Sequence, residues 1–212
     1  MEQQVNKDAY EFARYCYPDR WASYYYQLRE VIEAHPRSVL EVGTGDGVLK
    51  RYLQSNTQIE YQNLDIALDL HPDIVGSVED IPLPDKSVDV AVAFEVLEHL
   101  PFEKFERALG ELARVSRHAV IISLPHFGPP IKFSFKIPFL REVRLAWKIP
   151  FPKKHVFKGE HYWEIGKRGF GVGRIRRVLK KHTVVDKEFI PFENQYHHFF
   201  VLRHKGETQH TL

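Results

Sequence analysis

Three glycines at alternate positions, Gly43, Gly45 and Gly47, follow directly on the apolar run Val39-Leu40-Glu41-Val42 and lead into helix-forming sequence. Glycines so spaced make a tight turn between a strand and a helix, in which the backbone comes close to a ligand that a Cβ would hold off. Two kinds of turn share this look. A dinucleotide fingerprint, G-x-G-x-x-G or Ala, needs a third small residue where helix and strand pack around a pyrophosphate. Counted from Gly43, that place falls on the branched Val48, whereas acid-x-Gly-x-Gly-x-Gly fits Glu41, Gly43, Gly45 and Gly47 without forcing. The spacing therefore favours a ligand without a pyrophosphate. A ligand-free glycine turn remains the plain alternative.

A second short strand, residues 60–64, ends in Asp65, 22 residues beyond Gly43. A carboxylate at this place offers two acceptor oxygens to the two neighbouring hydroxyls of a ribose. An Asp closing a strand in a turn is the alternative use of the residue.

Residues 73–100 then run through Gly76, Ser77, Val78 and Glu79, an apolar strand over 88–94, and Phe94-Glu95-Val96-Leu97-Glu98-His99-Leu100. The glycine motif, the acid after the second strand and this ordered middle section together resemble the class I S-adenosylmethionine-dependent methyltransferases. The resemblance implies that Glu41, Gly43, Thr44, Gly45, Asp46, Gly47, Asp65, Ile66, Ser77, Val78, Glu79, Phe94, Glu95 and His99 surround S-adenosyl-L-methionine, which leaves as S-adenosyl-L-homocysteine. One departure stands out. The family often carries Asp where this chain has Ser77, so the adenine contact is expected to rest more on the backbone at Val78 and on Glu79.

Composition agrees with one enzyme domain. A chain of 212 residues buries a full core. The 30 Lys and Arg against 28 acids, a formal net charge of +2, are too balanced to call for a polyanion partner. A single cysteine, Cys16, forms no internal disulfide, and the first residues show no apolar core of a signal peptide, so a cytoplasmic protein is expected.

Alternating strand and helix patterns over the first two thirds predict a doubly wound, mostly parallel seven-stranded α/β sheet of Rossmann-like form. Trp21, Tyr24, Tyr25, Leu28, Val31 and Ile32 recur at helical spacing before the sheet. Val48, Leu49, Tyr52 and Leu53, and later Phe102, Phe105, Leu109 and Leu112, supply the buried stripes of two crossover helices, and residues 119–124 read as a buried strand. Past a basic helix over 173–181, residues 183–190 and 197–202 are two strands whose short connection permits only antiparallel pairing. The expected organisation is one domain: a helical cap (1–36), a cofactor-binding core (37–125), an inserted substrate lid (126–170), and a C-terminal helix with a strand pair (171–212).

The insertion interleaves Lys132, Lys136, Arg141, Arg144, Lys148, Lys153, Lys154 and Lys158 with Phe133, Phe135, Phe139, Trp147, Phe151 and Phe157. This mixture suits a peripheral contact with anionic lipid headgroups or a pocket for an anionic or aromatic small molecule, and it also fits an ordinary insertion with a satellite core. Nucleic acid is the least favoured partner at this net charge. A hydroxyl or amine acceptor needs a base, and His126, directly after the fifth strand, and His161 are the candidates. No metal-ligand spacing is found, and His197 and His198 lie on opposite faces of a strand. The expectation is a methyltransferase acting on a small-molecule, lipid-linked or sugar-linked acceptor. The alternatives are a binding protein that keeps the fold without turnover, and an NAD(P)-dependent oxidoreductase. The oligomeric state is not readable from the sequence.

Overall fold

A computed structural model describes residues 7–206. Residues 1–6 of the expected cap and 207–212 of the expected tail lie outside the described residues.

The N-terminal segment holds a 3-10 turn (Lys7–Tyr10), a short helix α1 (Phe12–Tyr15) and a longer helix α2 (Pro18–Glu33). There follow β1 (Ser38–Val42), α3 (Val48–Asn56), β2 (Glu60–Asp65), β3 (Ile74–Val75), β4 (Val88–Phe94), α4 (Phe102–Val115) and β5 (Ser116–Pro125). A hairpin of β6 (Pro130–Phe135) and β7 (Val143–Lys148) precedes α5 (Val172–His182), β8 (Thr183–Phe189) and β9 (His197–His204).

Seven strands form one sheet in the order β3-β2-β1-β4-β5-β9-β8. The first five run parallel; β9 is antiparallel to β5 and β8 antiparallel to β9. The α/β architecture read from the sequence is thus the architecture observed. After β1 the chain winds outward to β2 and β3, then returns to place β4 on the other side of β1. This reversal opens a crevice at the carboxyl ends of β1 and β4, where ligands bind in open sheets.

Strand alternation divides the core between two faces. Leu40, Val42, Ala91, Ala93, Val120 and Ile122 pack with α4 and α5 on one side. Val39, Val90, Val92, Ala119 and Ile121 pack with Val31 of α2 and with Leu49 and Leu53 of α3 on the other.

Two stripes differ from the sequence pattern. Trp21, Tyr25 and Ile32 of α2 are exposed, and the face that is buried carries Ser23, Tyr24, Gln27, Glu30 and Val31. Polar partners account for this rotation: Ser23 Oγ accepts from Asn194 Nδ2 at 2.9 Å, and Lys187 Nζ donates to Glu30 Oε2 at 2.7 Å. In α3, Leu49 and Leu53 are buried while Tyr52 is exposed.

The insertion is not uniform. The β6–β7 ribbon is exposed along both strands apart from the half-buried Lys148. The last part turns back into the core, where Trp163 and Ile165 are fully buried, Trp163 Nε1 donates to the Leu100 carbonyl at 3.0 Å, and Ile165 bridges to His126 beside the end of β5. An aromatic cluster of Phe102, Phe105 and Phe170 packs around Trp163.

Candidate functional site

The glycine turn leaves β1 with Gly43 at φ +85°, Gly45 at +52° and Gly47 at +71°, all in the left-handed region where a side chain is strained. At Gly43 a Cβ would also stand 2.4 Å from Val96 Cγ2, so this position is closed by sterics as well as by conformation. Gly47 caps α3.

Asp65 ends β2 beside the turn. Its Oδ2 accepts from the Thr44 N–H at 2.7 Å and its Oδ1 from the Ala67 N–H at 2.9 Å. A carboxylate oxygen has room for a second donor, and Asp65 faces a cleft that encloses about 130 Å³ and opens to solvent. Along its walls lie Gly43, Gly45, Ile66, Val78, Phe94, Glu95 and His99, all among the expected cofactor residues.

The other expected residues serve the cleft from behind. Glu41 is buried, takes a hydrogen bond from the Tyr61 hydroxyl, and is pushed by burial up to about 8. Thr44 Oγ1 accepts from Asn63 Nδ2 at 2.8 Å, fixing the turn to β2. Asp46 accepts from the Tyr24 hydroxyl at 2.6 Å and from the Val48 N–H at 3.3 Å, so it braces the turn against α2 and α3. Ser77 Oγ accepts from the Glu79 N–H at 3.2 Å, and the Glu79 carboxylate pairs with Lys104 Nζ at 3.0 Å. Gly76 and Val78 of this loop line the cleft, whereas Ser77 and Glu79 do not.

Eight wall residues lay outside the expected set: Val42, Leu64, Ala67 and Gly76, which flank expected residues, and four more. Tyr10 and Tyr15 reach the cleft from the N-terminal segment, their rings in edge contact at 4.8 Å. Tyr10 passes 3.9 Å from where a Cβ on Gly45 would stand. Leu70 and Val96 add apolar wall. The aromatic density of residues 10–26 was the only sequence signal for the two tyrosines, and it carried no register toward the turn.

The two candidate bases part company. His126 is buried and outside the cleft; its ring stacks on His198, with 3.1 Å between the Nδ1 atoms, and burial holds it down to about 3. The reason is strand geometry: His126 follows β5 on the side that faces β9, away from the carboxyl end of β1. His161 is carried by the returning part of the insertion to the far side of His99, ring centroids 4.9 Å apart and edge to face. His99 itself lines the cleft, and burial lowers it to about 4. Glu95, at φ +56° directly after β4, is raised by burial to about 7.

Glu98 was quoted in the sequence motif but not counted as a site residue. It is fully buried beneath His99 and His161. Its backbone carbonyl accepts from the Tyr162 N–H at 2.8 Å, the bond that fastens the insertion to this corner.

Comparison with known proteins bears on the domain and the fold. Residues 40–123, from β1 through most of β5, match a family model described as a methyltransferase domain. No sequence among the curated proteins matches the chain. Among solved structures, an S-adenosylmethionine-dependent methyltransferase from Clostridium acetobutylicum superposes with a TM-score of 0.60 at 12% identity, over 94% of this chain and 97% of that one. The 1,6-didemethyltoxoflavin-N1-methyltransferase of Burkholderia thailandensis, solved with 1,6-didemethyltoxoflavin and S-adenosylhomocysteine, gives 0.59 at 15% identity, over 93% and 84%. The N-methyltransferase NodS of Bradyrhizobium japonicum, in complex with S-adenosylhomocysteine, gives 0.59 at 10%, over 95% and 94%. At such identities the likeness is one of fold.

Proposed function

We propose that this chain, whose residues 40–123 match a methyltransferase domain, transfers a methyl group from S-adenosyl-L-methionine to a small, lipid-linked acceptor. The observation that carries the proposal is Asp65: a carboxylate at the cleft, oriented by the N–H of the glycine turn, with acceptor capacity left for the ribose hydroxyls.

The remaining residues fit the same nucleoside. Leu64, Ile66, Leu70 and Val78 offer apolar walls to the adenine. The turn at Gly43 and Gly45 admits the amino-acid portion close to the backbone, under the rings of Tyr10 and Tyr15. Glu95 places a carboxylate on the wall. Bound there, the cofactor supplies a methyl group already activated on a positive sulfur, so the task of the protein is to align donor and acceptor and to exclude water. Neither candidate base lines the cleft: His161 lies behind His99, and His126 is engaged with His198.

A lipid-linked acceptor is favoured by the β6–β7 ribbon. Cross-strand register puts Ile131 opposite Trp147, Phe133 opposite Leu145 and Phe135 opposite Val143, so these six side chains share one face. All six are exposed. The opposite face is the one fastened to the body: Lys132 Nζ donates to the Phe192 and Glu193 carbonyls at 3.1 and 3.2 Å, and Arg144 pairs with the Glu193 carboxylate. The apolar face therefore points outward, rimmed by exposed Lys136, Arg141, Lys153 and Lys154. Apolar surface within a cationic rim suits an anionic lipid interface. Among the described residues no helix is long and apolar enough to cross a membrane, so such contact would be peripheral.

Isothermal calorimetry with S-adenosylhomocysteine tests the cofactor assignment, with reduced dinucleotide as the competing ligand. Saturable heat with the former alone is expected. Absence of heat from a folded sample, or preference for the dinucleotide, overturns it.

A further inference from the structure

Behind the His99 wall of the cleft, Glu98, His99 and His161 each present one ligand atom, and the three atoms lie within 4.8 Å of one another. Glu98 is fully buried, and among the described residues neither of its carboxylate oxygens accepts a hydrogen bond from another residue. Buried carboxylates are almost always paired or bound to a metal. An imidazole, His161 Nε2, lies 3.9 Å from Oε1, and the Arg20 guanidinium acts on the carboxylate from further away.

Both histidines are held by partners on their outer sides. His161 Nδ1 lies 3.5 Å from Glu164 Oε1, which leaves Nε2 turned toward Glu98. The His99 ring hydrogen-bonds the backbone of Glu160. A carboxylate or a backbone carbonyl on the second ring nitrogen is how metal-ligating histidines are oriented. A further buried carboxylate, Glu95, lies one helical turn of sequence earlier on the cleft wall with its Oε1 unpartnered among the described residues, and its Oε2 is 3.6 Å from His197 Nε2.

We propose that Glu98, His99 and His161 form a binding site for a divalent first-row transition ion, Zn²⁺ being the best match to two imidazoles and one carboxylate. Ligands on a common tetrahedral ion at about 2.1 Å stand roughly 3.4 Å apart, so the site closes by about 1 Å on binding. His161, whose side chain keeps 20% of its exposure, is the ligand free to make that movement. The metal site itself stands on its own donors.

The test uses the full chain, stripped with a chelator and exchanged into metal-free buffer, then titrated calorimetrically with ZnCl₂, with MnCl₂, and with MgCl₂ separately. One equivalent of Zn²⁺ is expected to bind, and affinity should fall by roughly tenfold or more in Glu98→Gln and in His161→Ala. The second variant alters a partly exposed side chain and leaves the core intact. No stoichiometric binding, unchanged affinity in both variants, or preference for Mg²⁺ over Zn²⁺ would overturn the proposal. S-adenosylhomocysteine titrated into the same metal-free protein reads the cofactor cleft independently: failure there with Zn²⁺ binding intact removes the methyltransferase reading and leaves the metal site standing.

Discussion

The N–H of Thr44 donates to Asp65 Oδ2 at 2.7 Å, a bond across 21 residues that locks the turn after β1 to the last residue of β2. One carboxylate thereby fixes both sides of the proposed cofactor site. Replacing Asp65 with Ala removes the proposed ribose acceptor and the anchor of the turn together. A hydrogen bond to a charged group is worth roughly 1.5–3 kcal/mol, so S-adenosylhomocysteine should bind roughly 10- to 100-fold more weakly. Calorimetry on the folded variant measures this.

Gly43→Ala should destabilise the protein. The φ of +85° disfavours a side chain, and the new methyl would meet Val96 Cγ2 at 2.4 Å. Strain of roughly 1–3 kcal/mol corresponds to a fall in melting temperature of roughly 2–12 °C for a chain of this size. Thermal denaturation followed by circular dichroism gives the number, and an unchanged midpoint would show that the turn relaxes freely.

Trp163 separates the part of the insertion that is core from the part that is surface. It is fully buried against Phe102 and Phe105 and donates to the Leu100 carbonyl. Trp163→Ala should cost roughly 3–5 kcal/mol in urea unfolding.

On the ribbon, the double change Phe133→Ser with Trp147→Ser should leave that unfolding free energy within about 0.5 kcal/mol, because both side chains are half exposed. Sedimentation with vesicles rich in phosphatidylglycerol is the matching measurement. The native chain should pellet with them and not with phosphatidylcholine alone, and the variant should stay in the supernatant. Equal behaviour of native and variant chains would refute lipid docking by this face, and concentration-dependent dimerisation lost in the variant would assign the face to a second copy.

Acid should weaken the fold through the stacked pair His126 and His198. Burial holds each near 3 in the folded protein, well below the usual imidazole value of 6.5. The neutral rings suit their contacts, with His198 Nε2 at 2.8 Å from Glu188 and the two Nδ1 atoms at 3.1 Å. In the unfolded chain both take up protons below about 6.5. Their contribution is therefore complete above that pH and is lost as pH falls toward 3, with a slope of up to roughly 1.4 kcal/mol per pH unit for each ring. His198→Phe should flatten the pH dependence of unfolding over that interval.

Local sequence determined the cofactor side of the molecule. Strand β1, the three glycines, Asp65 and the parallel strands are written in neighbouring residues, because periodicity and the conformational freedom of glycine act over a few positions at a time. The register of α2 was not legible in the same way: its apolar positions suggested one face, and the partners of Ser23 and Glu30, 171 and 157 residues away, selected another. Ser77 departed from the family pattern and Glu79 was expected to help in its place, but the ion pair to Lys104 holds the Glu79 carboxylate off the cleft.

Tertiary structure alone decided what stands opposite the cofactor cleft. Tyr10 lies over a glycine 35 positions later, His161 reaches Glu98 across 63, and the ribbon turns its polar face to Glu193 and its apolar face to solvent. Each of these depends on how a segment with no period of its own is pinned at its ends, here by the Tyr162 bond to Glu98 and the burial of Trp163 and Ile165. Contacts of that kind are set by the packing of distant elements, which no window of sequence contains.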